Sequence, residues 1–167
     1  MFSNTITDPD AAAVYERNAA RVYRICYLRL RSAEDAEDAV QNVFLRWLKK
    51  PVPFRDEEHE KAYFIVCAQN EAKNAAKNYW RTNRTSIDEI PEPTAAGTAE
   101  DGGEMTELLF ALPAPYRQTL YLYYFEGYST KEIARLTGRT EGTVRCHLAR
   151  GRAKLKLNLE GYYETHP

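Results

Sequence analysis

"YSTKEIARLTGRTEGTVRCHLARGRAKL", Tyr128 to Leu155, decides how this chain folds. Ser129 precedes a run in which Ile133, Ala134 and Leu136 can pack inward, and Glu132 follows it by three residues, the spacing of a capping box. Gly138 permits a sharp turn after this short helix, because glycine enters left-handed backbone without a Cβ clash. Thr140 then caps a second helix whose buried row is Val144, Leu148 and Leu155. Two short helices with a glycine-containing turn make a helix-turn-helix, whose second helix enters the DNA major groove.

The charge of this stretch supports the same reading. Its acids are Glu132 and Glu141. Its bases are Lys131, Arg135, Arg139, Arg145, Arg150, Arg152 and Lys154, in a chain whose formal net charge is −1. The face opposite the buried row carries Arg145, Cys146, Ala149 and Arg152, flanked by Arg150 and Lys154. An arginine can bond a guanine edge through two hydrogen bonds, worth about 1–3 kcal/mol of discrimination. The other cations neutralise phosphates, an attraction that weakens with salt. Together with Thr143, these six residues form the candidate duplex-binding set. Basic residues also occur in the last turns of ordinary helices. Here the turn, two caps and a basic face agree. The acidic remainder of the chain points to a different partner.

Upstream, "APYRQTLYLYYFEG" reads as a helix with Leu120, Leu122 and Phe125 in its core and Gly127 as its stop. "TELLFALP" reads as a shorter helix ended by Pro113. Before them lies "TSIDEIPEPTAAGTAEDGGEMTE", Thr85 to Glu107, with seven acids, no Lys or Arg, and much Pro, Gly, Thr and Ala. That is the composition of an extended linker. The expected organisation is all-α: a helical domain over residues 1–84, a flexible acidic linker over 85–104, and a helix-turn-helix domain over 105–167.

In the first domain, a helix is expected from about Asp10 to Leu30, with Val14, Val22, Ile25 and Cys26 inward. Ser32 with Asp35 resembles a capping box for a second helix. Ala36, Val40, Val43, Phe44 and Trp47 make its apolar stripe. Asp35, Asp38, Gln41, Asn42 and Leu45 lie largely on the other side, and Pro51 and Pro53 end it. A third helix runs from about Glu57 to Trp80, acidic at its start and basic at its end. Ile65, Ala68, Ala72, Ala75 and Tyr79 can pack inward. Gln69 or Asn70, Lys73 or Asn74, then Lys77 and Arg81 form a polar, basic stripe. On pattern alone such a stripe is also what a solvated helix face looks like.

Composition narrows the function classes. With 167 residues, 44% hydrophobic and 28% charged, with only 8 Gly and 8 Pro, the chain suits one or two small helical domains. No apolar run is long enough to span a bilayer, and the first residues do not resemble a signal peptide, so a cytoplasmic protein is expected. Cys26, Cys67 and Cys146 are dispersed, as are His59, His147 and His166, and no cluster has metal-ligand spacing. Catalytic and phosphate-loop motifs are missing from the sequence. A non-enzymatic protein without cofactor or metal is expected.

The arrangement resembles the small sigma factors of bacterial RNA polymerase, the extracytoplasmic-function group of the sigma-70 family. "LRSAEDAEDAVQNVFLRWLKK" is similar to the region 2 segment that docks on the polymerase clamp helices. "YFIVCAQNEAKNAAKNYWR" is similar to the helix that recognises the −10 element and promotes melting. "LPAPYRQTLYLYYFEGYSTKEIARLTGRTEGTVRCHLARGRAKL" is similar to region 4, which reads the −35 element. The resemblance implies that Asp35, Asp38 and Gln41, with Asn42 beside them, face the polymerase. It implies that Asn70, Asn74 and Lys77 contact the opened non-template strand, Lys73 and Arg81 sharing their stripe. It places Arg145, Cys146, Ala149 and Arg150 on the upstream element. The implied partners are the β and β′ subunits of core RNA polymerase and promoter DNA, duplex and melted, with an anti-sigma factor as a further candidate. Two departures stand out: family members usually have Trp where this chain has Tyr63, and often Asp where it has Asn74. The competing reading is a free-standing helix-turn-helix repressor or activator, which needs a dimer surface. In that reading the acidic helix and the Asn/Lys stripe of the first domain have no role. A nuclease or recombinase would need a clustered acidic or nucleophilic site, for which Asp35 and Asp38 are poor candidates.

Overall fold

The computed structural model describes residues 9–82 and 103–165, with side chains at 10–78, 107–158, 160 and 161. Among the described residues there are seven helices: α1 (Pro9–Leu30), α2 (Ala33–Lys49), α3 (Glu57–Thr82), α4 (Gly103–Phe110), α5 (Ala114–Tyr124), α6 (Thr130–Thr137) and α7 (Glu141–Thr165). They belong to two compact units, Met1–Thr94 and Ala95–Pro167. The all-α, two-domain architecture is as expected. The linker assigned to 85–104 lies outside the described residues, except that Gly103 and Glu104 begin α4.

In the first unit α1, α2 and α3 pack against one another pairwise. Arg31 takes left-handed backbone (φ 57°) and turns the chain between α1 and α2. The Ser32 hydroxyl accepts from the Asp35 amide at 3.2 Å, capping α2. All five residues of the apolar stripe of α2 are buried, and Asp35, Asp38, Gln41 and Leu45 are exposed. The core is aromatic at one end. Phe64 stacks on Phe44 with centroids 4.9 Å apart and meets the edge of Trp47 at 5.8 Å. Phe54 lies against Trp47 and Phe64, so the Pro-containing connection between α2 and α3 is pinned onto the core.

Two buried carboxylates of α3 tie the three helices together. Glu60 (8% exposed) accepts from Asn18 Nδ2 of α1 at 2.7 Å and from both forks of Arg17, at 2.9 and 3.0 Å. Arg17 holds the Glu60 carboxyl below its ordinary range against the opposing effect of burial. Three turns later Glu71 accepts from Asn42 Nδ2 of α2 at 3.0 Å and pairs with Arg46 at 2.7 Å. Carboxylates this buried are tolerated because each is paired and hydrogen-bonded.

In the second unit α7 packs on α4, α5 and α6. Its core is Leu109, Leu112, Leu120, Leu122, Ile133, Val144 and Leu148, all buried. Gly151 allows a close crossing: a Cβ there would meet the Leu120 side chain at 3.1 Å. Leu155 is half-buried, at the edge of the row.

Phe125 corrects the sequence reading. It is 67% exposed, not part of the core. Helix α5 stops at Tyr124, and Gly127 (φ 74°) reverses the chain so that the Tyr128 amide bonds the Leu122 carbonyl at 3.1 Å. Phe125 still has right-handed helical backbone as the C-cap, with its ring stacked on Tyr121 at 5.6 Å, and the buried aromatic is Tyr128, beyond the turn.

Candidate nucleic-acid interface

Both halves of the Ser129 capping box are present: the hydroxyl accepts from the Glu132 amide at 3.1 Å, and the Glu132 carboxylate accepts from the Ser129 amide at 3.2 Å. Gly138 ends α6 in left-handed backbone (φ 69°). The Thr140 hydroxyl accepts from the Thr143 amide at 3.2 Å and lies 2.8 Å from the Thr143 hydroxyl, starting α7. A helix-turn-helix is thus fixed by caps at three consecutive helix ends.

Helical periodicity sorts the outer face of α7 into lanes. Gly142, Cys146, Ala149 and Ala153 run along its middle and are all exposed. Arg145, Arg152 and Lys156 border one side; Thr143, Arg150 and Lys154 border the other, and all six are exposed. Small residues keep the middle of this face low, while the two borders, Thr143 apart, reach outward with positive charge. His147 lies on the Tyr116 ring (5.2 Å). Burial, then Arg139 and Arg150, lower its pKa below the ordinary imidazole value, so at neutral pH it adds no charge.

The cations of α7 differ in their surroundings. Arg145 Nη2 donates to Glu141 Oε1 at 2.7 Å. Arg152 Nε donates to the Tyr124 hydroxyl at 2.6 Å, and its guanidinium lies over the Tyr123 and Tyr124 rings at 5.4 and 5.5 Å. Lys154 Nζ is 6.0 Å from the Tyr116 ring centre. Arg152 and Lys154 are therefore steered by tyrosines of α5, a relation that spacing along α7 could not reveal.

In the first unit Asn70, Lys73, Asn74 and Lys77 are exposed along one side of α3, and Gln69 is half-buried beside them. Arg81 belongs to α3, but its side chain lies outside the described residues, as does that of Tyr79. Ala68 and Ala72 are fully buried and Ala75 partly. On α2, Asp35, Asp38 and Gln41 present an exposed polar face, and Gln41 also lines a depression with Tyr15, Tyr23 and Val40. Asn42 lies on the same exposed side, yet its amide is committed to Glu71. Glu71 sits between Asn70 and Asn74 in the chain, so this buried carboxylate ties the polar face of α2 to the helix that carries the Asn/Lys stripe. Sequence reading passed over Glu71 because an acid inside a basic stripe resembles ordinary surface variation.

Burial pushes the Cys26 thiol up to about 12, helped by the Glu71 charge, and raises Cys67 as well. Among the described residues no group of three His, Cys, Asp or Glu could hold a metal ion, and no helix is long and apolar enough to cross a membrane.

Comparison with known proteins follows the same division. The family model for Sigma-70 region 2 matches residues 14–85, and that for Sigma-70, region 4 matches residues 103–155. A protein named "Probable RNA polymerase sigma factor RfaY", from Xanthomonas campestris pv. campestris, is 26% identical over 180 residues. The match covers 94% of this chain but 44% of that protein. The ECF RNA polymerase sigma factor SigM of Mycobacterium tuberculosis is 29% identical over 154 residues, covering 91% of this chain and 78% of SigM. The fold is shared with the sigma factor RpoE of Bartonella quintana, solved in complex with the anti-sigma factor NepR. There the TM-score is 0.72 at 19% identity, over 92% of this chain and 98% of the other. With both halves matched in order and the two-unit helical fold in common, the chain belongs to the sigma-70 family of RNA polymerase sigma factors, in its extracytoplasmic-function group.

Proposed function

We propose that the protein binds core RNA polymerase and directs it to promoters, reading the −10 and −35 elements with separate domains. The observation that carries this reading is the presence, in one chain, of two outward polar faces of opposite character: acidic and amide-bearing on α2, basic on α7. Asp35, Asp38 and Gln41 dock on the β′ clamp, with Asn42 holding α2 to α3 behind them. Asn70, Lys73, Asn74, Lys77 and Arg81 meet the −10 element as it opens. Amides suit unpaired base edges there, and cations suit the backbone. Thr143, Arg145, Cys146, Ala149 and Arg150 enter the major groove of the −35 element, with Arg152 and Lys154 on flanking phosphates.

In this reading residues 1–84 and 105–167 are the working domains. The acidic stretch 85–104 threads along the polymerase near its active centre and RNA exit path, where its charge imitates nucleic acid. The protein contributes no bond-breaking chemistry, requires no cofactor, and acts in the cytoplasm. The anti-sigma partner of the RpoE relative makes a protein of that class a natural regulator here too.

Reconstituted transcription tests the proposal. Core polymerase, sheared host DNA and this protein are combined and RNA 5′ ends are sequenced. New starts should appear only with the protein, and should be lost with Asp38→Ala through failed docking and with Arg145→Ala through failed upstream reading. If core polymerase neither binds the protein nor gains new starts, the two-domain reading is wrong and a duplex-binding regulator remains.

A further inference from the structure

Resting on the reading of α7 as the duplex-reading helix, we propose that Glu141 is a positioning residue: braced by Thr130 of α6, it aims the guanidinium of Arg145 at a guanine edge. One carboxylate oxygen, Glu141 Oε1, accepts both Arg145 Nη2 at 2.7 Å and the Thr130 hydroxyl at 3.1 Å. An exposed glutamate–arginine pair one turn apart on a helix is ordinarily a weak, mobile contact. Here the carboxylate is held from a second helix. Thr130 is the first residue of α6, next to Ser129, whose capping box fixes that helix end. The brace therefore spans the turn of the helix-turn-helix and ties the aim of Arg145 to the angle between its two helices.

The geometry leaves Arg145 able to read. A guanidinium carries five N–H donors in a rigid fork, and one of them is used on Glu141. Enough remain for two parallel bonds to guanine O6 and N7. A long side chain already held in a reading rotamer loses less freedom on binding. The Thr130 hydroxyl and Arg145 hold the Glu141 carboxyl below its ordinary range, so the pair extends into mild acid.

Glu141 also lies in the first turn of α7, where a negative charge favours the helix. A purely structural role and an aiming role separate by sign. A carboxylate beside DNA repels phosphate, so its removal should strengthen sequence-independent binding. If it aims Arg145, the same removal should weaken discrimination.

The test uses the full chain with core polymerase on a promoter duplex recovered by 5′-end mapping. Each guanine of its upstream element is replaced in turn by 7-deazaguanine, which lacks the N7 acceptor. With the native protein, one replacement should weaken binding about tenfold, the size of one good base contact. Arg145→Ala should abolish that sensitivity. Glu141→Ala should reduce it to about threefold while binding to a duplex with a scrambled upstream element rises. Glu141→Gln, which keeps the accepting oxygen, should restore most of it. Thr130→Val, which leaves α7 untouched, should reproduce part of the loss even if Glu141→Ala weakens the helix. In the Glu141→Ala/Arg145→Ala pair the sensitivity should be no lower than with Arg145→Ala alone. Full 7-deazaguanine sensitivity in both Glu141→Ala and Thr130→Val, beside a defective Arg145→Ala, overturns the brace and leaves the reading helix standing. Full sensitivity in Arg145→Ala overturns base reading by this residue, and the brace with it.

Discussion

In α1–α3 the carboxylates that join helices are buried between them, at Glu60 in the first turn of α3 and at Glu71 in its middle. In α4–α7 the hydroxyls and carboxylates that shape the fold sit at helix ends, at Ser129, Glu132, Thr140 and Glu141. Among the described residues of the second unit the buried charge is a cation, Arg117, whose guanidinium lies over Phe110 and reaches that residue's carbonyl at 3.5 Å. The difference bears on what each surface can offer. Internal carboxylates draw Arg17, Asn18, Asn42 and Arg46 toward α3, and leave acids and amides facing outward on α2. The cations of α7 stay exposed even where they have partners, Arg145 on Glu141 and Arg152 on Tyr124. Loss of a polar group should therefore cost stability in the first unit and recognition in the second.

The largest effect expected from this contrast is at Phe64, which is fully buried and ringed by Phe44, Trp47, Phe54 and Tyr63. Phe64→Ala should destabilise the first unit by about 3–5 kcal/mol, the range for a buried aromatic cut to alanine. Tryptophan fluorescence during urea unfolding reads this unit alone, because both tryptophans, Trp47 and Trp80, belong to it. A loss below about 1 kcal/mol would mean the aromatic cluster is not the core.

Next in size is Glu60→Ala, expected to cost about 2–3 kcal/mol by the same assay, since it strips a partner from fully buried Asn18. The expected cost falls short of that for a fully buried broken pair because Arg17 is half exposed. The effect should also depend on acid. The folded Glu60 carboxyl titrates below its ordinary value of 4.5, chiefly through its bond from Arg17. Its contribution is thus complete above that value and is lost as pH falls through the folded pKa. Glu60→Gln should show a flatter stability curve below pH 4.5 than the native protein. Equal slopes would remove Glu60 from the balance.

Much of this was legible in the sequence, and the limits have physical causes. Helical spacing located the core of α2 and the Val144–Leu148 row because both lie on long amphipathic helices, where a stripe has room to repeat. The Ser129 and Thr140 caps were readable because a cap is a local bond between residues three apart. Phe125 misled because periodicity gives the face of a residue and not where packing along that face ends: it keeps helical backbone as the C-cap, yet its ring is exposed, and the buried aromatic is Tyr128 beyond the Gly127 turn. At the candidate interface, residue types and their face could be read from one helix alone. The attachments of Arg152 to Tyr124 and of Asn42 to Glu71 could not, since each joins residues far apart in sequence. Glu141 and Arg145 stood at a readable spacing, but the Thr130 hydroxyl that turns the pair into a brace depends on how α6 meets α7.

The smallest expected effect separates the two units by pH. His147 of α7 lies against Tyr116, and burial with Arg139 and Arg150 nearby lowers its pKa from 6.5. Below pH 6.5 the unfolded chain takes up this proton more readily than the folded one. The second unit should therefore lose stability as pH falls from 6.5 to the folded pKa, and no further from this group below it. Opposing the proton are the guanidiniums of Arg139 and Arg150; from α5 the facing group is the Tyr116 ring, which Lys154 also approaches. In the first unit the carboxylate held below its ordinary range is Glu60, and its window opens only below 4.5. Acidification from pH 7 to 5 should then lower the protection factors of the Val144 and Leu148 amides, their exchange being corrected for the slower intrinsic rate in acid, while the tryptophan-detected stability of the first unit holds. His147→Gln should abolish the change in protection, because glutamine keeps polar volume without a titrating ring. Were the tryptophan signal to move first, or the loss of protection to persist in His147→Gln, the imidazole would not be what sets the acid edge of the second unit.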